Sequence, residues 1–114
     1  MTPDINIQFV PCVLDFDDEN FGRDPNGRMY RKDLAPGSAH WLSNVAGDPH
    51  ACLDFVCPCG CGLVHAIPVS QGIKADHAWL WDGNIEKPTL TASILCTGPC
   101  GWHGYLTGGV FKTV

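Results

Sequence analysis

Cationic side chains are scarce in this sequence: seven Lys and Arg stand against twelve Asp and Glu, a formal net charge of −5. The one concentrated basic run, Arg28-Met29-Tyr30-Arg31-Lys32, is short and reads as a solvated loop. Gripping a phosphate backbone takes a basic face, so nucleic-acid binding is disfavoured. Long apolar runs are missing as well, and none approaches the roughly 18 residues that span a bilayer. Thr2-Pro3-Asp4 opens acidic, where a secretory signal would be basic and then apolar. A chain that is not exported keeps its seven cysteines in a reducing compartment, where thiols bind metal or stay free. Their odd number also fits poorly with a complete disulfide framework.

Sustained helical periodicity is the third absence. In its place are short alternating segments bounded by Gly, Pro, Asn and Asp, which read as strands and turns. Ile5, Ile7 and Phe9 alternate up to Pro11. Asp24-Pro25-Asn26-Gly27 is a turn by its chemistry, because Pro presets φ and Asn-Gly accepts positive φ. Ala51 to Val56 and Leu63 to Val69 flank a sharp reversal, Asp82-Gly83-Asn84 is another, and Gly108-Gly109 a third. The expectation is one small all-β domain over 1–114, with little helix, two knuckles on hairpin-like turns and a long loop-rich insertion at 15–50. The acidic run in that insertion lacks the Gly at the sixth position and the Glu at the twelfth of a calcium loop, so it reads as solvated. Long loops often carry function, which makes it a candidate contact surface.

What the chain has in concentration is thiol chemistry. Cys57-Pro58-Cys59-Gly60-Cys61-Gly62 puts three thiols into a forced turn, and Cys96-Thr97-Gly98-Pro99-Cys100-Gly101-Trp102-His103 repeats that chemistry with an imidazole. Two knuckles that each offer thiolates suit a tetrahedral zinc ion. The candidate ligands are two of Cys57, Cys59 and Cys61 together with Cys100 and His103; Cys96 and His65 stand close in sequence as further donors. Cys57 and Cys59 are favoured over Cys61, since Gly60 and Gly62 let the chain curl back after them. Two zinc ions sharing one thiolate, or buried cysteines with no metal, are the alternatives to a single ion. His40, His50 and His77 read as solvent-facing or core residues, and Cys12 as a small core hydrophobe.

Catalysis finds less support in the residues. The chain has only two glutamates, Glu19 and Glu86, and neither lies near a His, so the H-x-E with P-C-x-x-C pattern of zinc deaminases is missing. Cys-rich zinc sites usually fill all four positions and are structural, whereas a catalytic ion keeps one open for water. No catalytic residue is assigned. Trp79 and Trp81 share a strand face and, with Trp41 and Trp102, form either a wall over the core or an aromatic platform for a protein partner.

Several motifs together resemble a family of small uncharacterised phage and bacterial proteins. They are Cys57-Pro58-Cys59-Gly60-Cys61-Gly62, Trp79-Leu80-Trp81-Asp82-Gly83-Asn84, Pro88-Thr89-Leu90-Thr91-Ala92-Ser93-Ile94 and Cys100-Gly101-Trp102-His103 running on to Gly108-Gly109. The likeness spans roughly residues 52–112; Ala92 stands where that family usually has Pro. It implies zinc bound by ligands drawn from Cys57, Cys59, Cys61, Cys100 and His103, and a phage or prophage origin. The "ammonia monooxygenase" label that some members carry finds no copper- or iron-type constellation here. The function expected on these grounds is a non-enzymatic protein-binding or virion-assembly module with a structural zinc, contacting a host factor or virion subunit in the host cytoplasm or virion. A small zinc hydrolase with an open coordination position is the alternative, and a zinc-ribbon nucleic-acid binder a third.

Overall fold

The computed structural model describes residues 4–11, 13, 19, 21–31, 33–42, 50–71, 78–96 and 101–114. Twelve strands and no helix are found among them, so the all-β class expected from the sequence is the observed one. The connection at 72–77, with His77, and the acidic run at 15–20 apart from Glu19 lie outside the described residues, as do Cys12 and Cys100. Among the described residues no helix is long and apolar enough to cross a membrane.

The N-terminal alternation forms two short strands rather than one. β1 (Ile5–Asn6) pairs antiparallel with β12 (Val110–Thr113), whereas β2 (Gln8–Phe9) pairs parallel with β5 (Ser38–Leu42). The chain changes sheet at Ile7, whose N–H donates to the Gly109 carbonyl at 2.7 Å. β3 (Phe21–Arg23) and β4 (Met29–Arg31) form a hairpin around the Asp24–Gly27 turn, where the Asp24 carboxylate accepts from the N–H groups of Asn26 and Arg28.

β6 (His50–Val56) and β7 (Val64–Gln71) are the longest strands, paired in register from His50↔Ser70 to Val56↔Val64. With β2, β5, β8 (Trp79–Trp81) and β9 (Leu90–Thr91) they build a six-stranded sheet in the order β2-β5-β6-β7-β8-β9. β10 (Ile94–Leu95) and β11 (His103–Thr107) join β1 and β12 in a four-stranded sheet, β1-β12-β11-β10.

The core lies where the two sheets meet. Leu53, Phe55, Ile67, Val69 and Trp81 of the larger sheet pack with Ile94, Leu106 and Phe111 of the smaller. Phe55 and Phe111, both fully buried, meet at a tilt with centroids 5.1 Å apart, and Trp102 meets Phe111 edge-on at 6.1 Å. Each such ring contributes about 1.5–3 kcal/mol by leaving water. A smaller cluster of Val13, Val56 and Val64 occupies the other face of the β6–β7 pair, against Met29 and Leu34. There Arg31, nearly buried, donates to the Val13 carbonyl and grips Asp33 through two parallel bonds of 3.0 Å, which holds the Asp33 carboxyl below its usual range.

The four tryptophans belong to the packing, not to an exposed platform. Trp41 and Trp81 lie 4.7 Å apart, and Trp81 and Trp102 are almost fully buried. Every indole N–H has an acceptor: Ile85 O for Trp41, Ser93 O for Trp79, Asn84 O for Trp81 and Thr113 Oγ1 for Trp102. A buried indole needs that partner.

Candidate functional site at the cysteine knuckle and the serine strand

The knuckle sits at the tip of the β6–β7 hairpin, as its Pro and Gly content leads one to expect. The Cys57 N–H donates to Leu63 O at 2.7 Å, and the Gly60 N–H to Cys57 O at 3.2 Å. Gly60 and Gly62 take φ of 92° and 86°, values a residue with a Cβ rarely adopts, so these glycines are what fold the three cysteines into one turn. Two donor groups result: Cys57, Cys59 and Cys61 form one, and Cys57, His65 and Cys96 the other, with all ligand atoms of each group within 4.8 Å of one another. Cys57 belongs to both. Its sulfur lies 3.3 Å from that of Cys59.

Burial separates these donors. Cys57 and Cys96 are buried, Cys59 is half-buried, and Cys61 is exposed, lining a cleft of about 370 Å³ with Tyr30, Pro36 and Gly62. His65 presents a buried Nε2 that lacks a hydrogen-bond partner. A buried polar atom without a partner costs free energy, which a cation would offset. A hydrogen bond with Cys96, and then burial, push the Cys57 thiol well up, while His65 and Cys59 draw it down. Ligation would expel that proton, since the thiolate is the ligand. Thiols and one imidazole are a donor set that fits zinc. The cluster can therefore hold a metal ion.

Of the ligands expected from sequence, the structure brings together Cys57, Cys59 and Cys61. Cys100 lies outside the described residues. His103 joins neither group: it stands exposed on β11, and the imidazole found beside the thiols is His65. Cys96 and His65 were legible only as donors close in sequence, because nothing in the spacing shows that β10 ends against the β6–β7 tip.

A second constellation lies just before Cys96. In the β10–β11 ladder Ile94 faces Gly104 and Leu95 faces His103. Alternation along the strands turns Ile94, Gly104 and Leu106 inward, where they are buried. Leu95, His103 and Tyr105 then share the outer face, all three exposed, while Ser93, half-buried, stands immediately before β10 and outside its paired residues. Ser93 follows Ala92, whose φ of 81° is the one positive value at a non-glycine among the described residues. A φ near −65° is all that Pro permits, so Pro could not take this conformation. The Ser93 carbonyl is held by Trp79 Nε1 at 3.1 Å.

A third set has the composition Ser-His-Asp. His40 faces Asp54 across β5–β6, and Ser38 precedes His40 by two residues on the same face. Asp54 is fully buried with an Oδ2 lacking a hydrogen-bond partner, and burial raises its pKa against the opposing influence of His40. Ser38 is 2% exposed, which closes its hydroxyl to a polypeptide.

Comparison with known families decides the class. Residues 27–114 match the family described as bacterial ubiquitination-like system serine protease (BubE). The chain belongs to the BubE family. No curated protein and no solved structure matches it. Membership in a protease family overturns the expectation of a non-enzymatic phage module for protein binding or virion assembly: the family description names an enzyme, a serine protease. The residues alone point away from catalysis because no glutamate stands near a His and Cys-rich sites are usually closed.

Proposed function

We propose that this BubE-family chain is a serine peptidase of a bacterial ubiquitination-like system, with Ser93 as nucleophile and His103 as general base. The observation that carries the assignment is the shared outer face of β10 and β11. Leu95 faces His103 there and Ser93 comes two residues before Leu95, so extending the ladder by one step would set Ser93 diagonal to His103, about 7–8 Å away and within reach of a long side chain. Among the described serines Ser93 alone is accessible, since Ser38 and Ser70 are 2% and 1% exposed. The positive φ at Ala92 resembles the strained turn that presents a nucleophilic serine in other hydrolases.

In this reading the Ser93 hydroxyl attacks the scissile carbonyl while His103 takes its proton. The imidazolium then protonates the leaving amine, and water releases the acyl group from Ser93 by the reverse sequence. The metal is structural and is one zinc ion, held by Cys57, Cys96 and His65 with Cys59 as the fourth ligand. His103 is thereby free for the chemistry. The support is His65, which has a ring nitrogen within 4.8 Å of the Cys57 and Cys96 sulfurs and a buried Nε2 that lacks a hydrogen-bond partner.

The test uses a fluorophosphonate probe and a ubiquitin-like protein carrying a reporter amide at its C-terminus. Ser93→Ala should abolish labelling and cleavage, and His103→Gln should lower kcat by about 10³-fold or more. Loss of both activities in Ser38→Ala, with Ser93→Ala unaffected, would move the site to the Ser38, His40 and Asp54 face.

A further inference from the structure

We propose that the metal is the clasp that holds the nucleophile's strand in place, with Cys96 as a positioning residue. This rests on the reading of Ser93 as nucleophile, and it gives the metal a task in peptide cleavage without contact with substrate. Apart from the Trp79 bond to its carbonyl and the burial of Ile94, little fixes Ser93. β10 is two residues long, ends the strand order of its sheet and pairs with β11 alone. Upstream stands the positive φ of Ala92, a conformation that an L residue tends to leave when released. Downstream, the Cys96 N–H donates to Trp102 O at 2.8 Å.

Cys96 is the one donor of the cluster that belongs to this segment. It is 3% exposed, comes three residues after Ser93, and meets Cys57, just past the end of β6, and His65, near the start of β7, the two longest strands. A metal bound there links a marginal edge strand of the smaller sheet to the most extensively paired hairpin of the larger one. The Cys96 N–H bond to Trp102 brings along the residue just before His103, so one ion braces both members of the catalytic pair. On binding, each ligating thiol gives up its proton and becomes a thiolate bonded to the metal; no redox change is involved. Short extended segments with few partners open first in native proteins, and such a brace acts on that opening.

The test uses the full chain loaded with Co²⁺, whose thiolate charge-transfer absorption counts sulfur ligands. Cys96→Ser should weaken that band, while Cys61→Ser should leave it unchanged. In the same Cys96→Ser protein, and in wild type stripped with a chelator under reducing conditions, fluorophosphonate labelling should slow at least tenfold. Amide exchange at Ile94, Leu95 and Cys96 should quicken while Leu53 and Phe55 in the core stay protected. Unchanged labelling and exchange after metal loss overturn the proposal, and so does a Co²⁺ band insensitive to Cys96→Ser. Loss of core protection on stripping also counts against it, because the metal would then hold the whole fold and not this strand. If metal-loaded wild type shows no labelling at all, the Ser93 reading has failed; the Co²⁺ spectra still report whether Cys96 is clasped.

Discussion

Leu95 lies directly across from His103 in the β10–β11 ladder, and its side chain is 60% exposed. Tyr105, two residues beyond His103 on the same face, is 46% exposed. Two large exposed side chains thus lie beside His103, one across the ladder and one two residues along its own strand. Apolar groups left in water at such a place are suited to the side chains next to a scissile bond.

Leu95→Ala should therefore change specificity before it changes chemistry. Loss of a leucine-sized contact is worth about 1–3 kcal/mol, so kcat/KM for substrates with a large apolar residue beside the cleaved bond should fall roughly tenfold or more. KM should carry most of that fall. A peptide series read for kcat and KM separately checks this; an equal drop for substrates with small residues would show that Leu95 supports the site instead of contacting substrate.

Ala92 offers a test of strain. At φ 81° a Cβ is disfavoured by about 1–2 kcal/mol, which glycine does not incur. Part of that gain is offset by the freer unfolded chain, so Ala92→Gly should stabilise by about 0.5–1 kcal/mol. Ala92→Pro should do the reverse, since the ring cannot reach positive φ and Ser93 must shift. Thermal melts of the two variants with metal bound settle the sign, and a stabilised Pro variant would show that the left-handed turn is not required.

These residues also mark how far the sequence could be read. Alternation and turn chemistry disclosed the hairpins at Asp24–Gly27, at the cysteine knuckle and at Gly108-Gly109, because local geometry decides them. The Ile7 switch between sheets was not legible, since it depends on which edge each half of the strand meets. The knuckle suggests a metal through local spacing, but the grouping of Cys57 with Cys96 and His65, which could hold an ion, follows from strand order. The proposed serine site is the least legible of these, since Ser93 and His103 belong to no spacing pattern and their proposed pairing rests on the strand order that sets Leu95 opposite His103.

Asp54 predicts a pH dependence. Burial raises its folded pKa above the ordinary carboxylate value of 3.8, so the unfolded chain gives up this proton more readily than the folded one. Stability from this group is thus greatest below that value, declines as pH rises toward the raised folded value, and stays lower beyond it. Asp54→Asn should flatten this part of the profile. It should also raise the melting temperature at neutral pH, since a buried charge without a full hydrogen-bond set is costlier than a neutral amide. Urea titrations of both proteins from pH 4 to 8 measure the difference. A steeper loss of stability at neutral pH in the variant would mean instead that His40 needs the carboxylate.

Gly104 ties core packing to the assigned base. It lies between His103 and Tyr105 on β11 with its α-carbon turned inward, and the Trp102 indole lies over it. A Cβ placed there would collide with the Lys112 carbonyl and with two carbons of the Trp102 ring. The carbonyl belongs to β12 and the ring is fixed by its bond to Thr113 Oγ1 and by contact with Phe111, so neither can yield without moving a strand. Gly104→Ala should destabilise by about 1–3 kcal/mol, the usual result of overpacking. The strand that gives way is the one presenting His103, so kcat should fall more than KM rises. Trp102→Phe in the Gly104→Ala background narrows the ring over the new methyl group and should restore part of both losses. If the double variant is as slow as Gly104→Ala while its stability recovers, the coupling between this packing and His103 is absent.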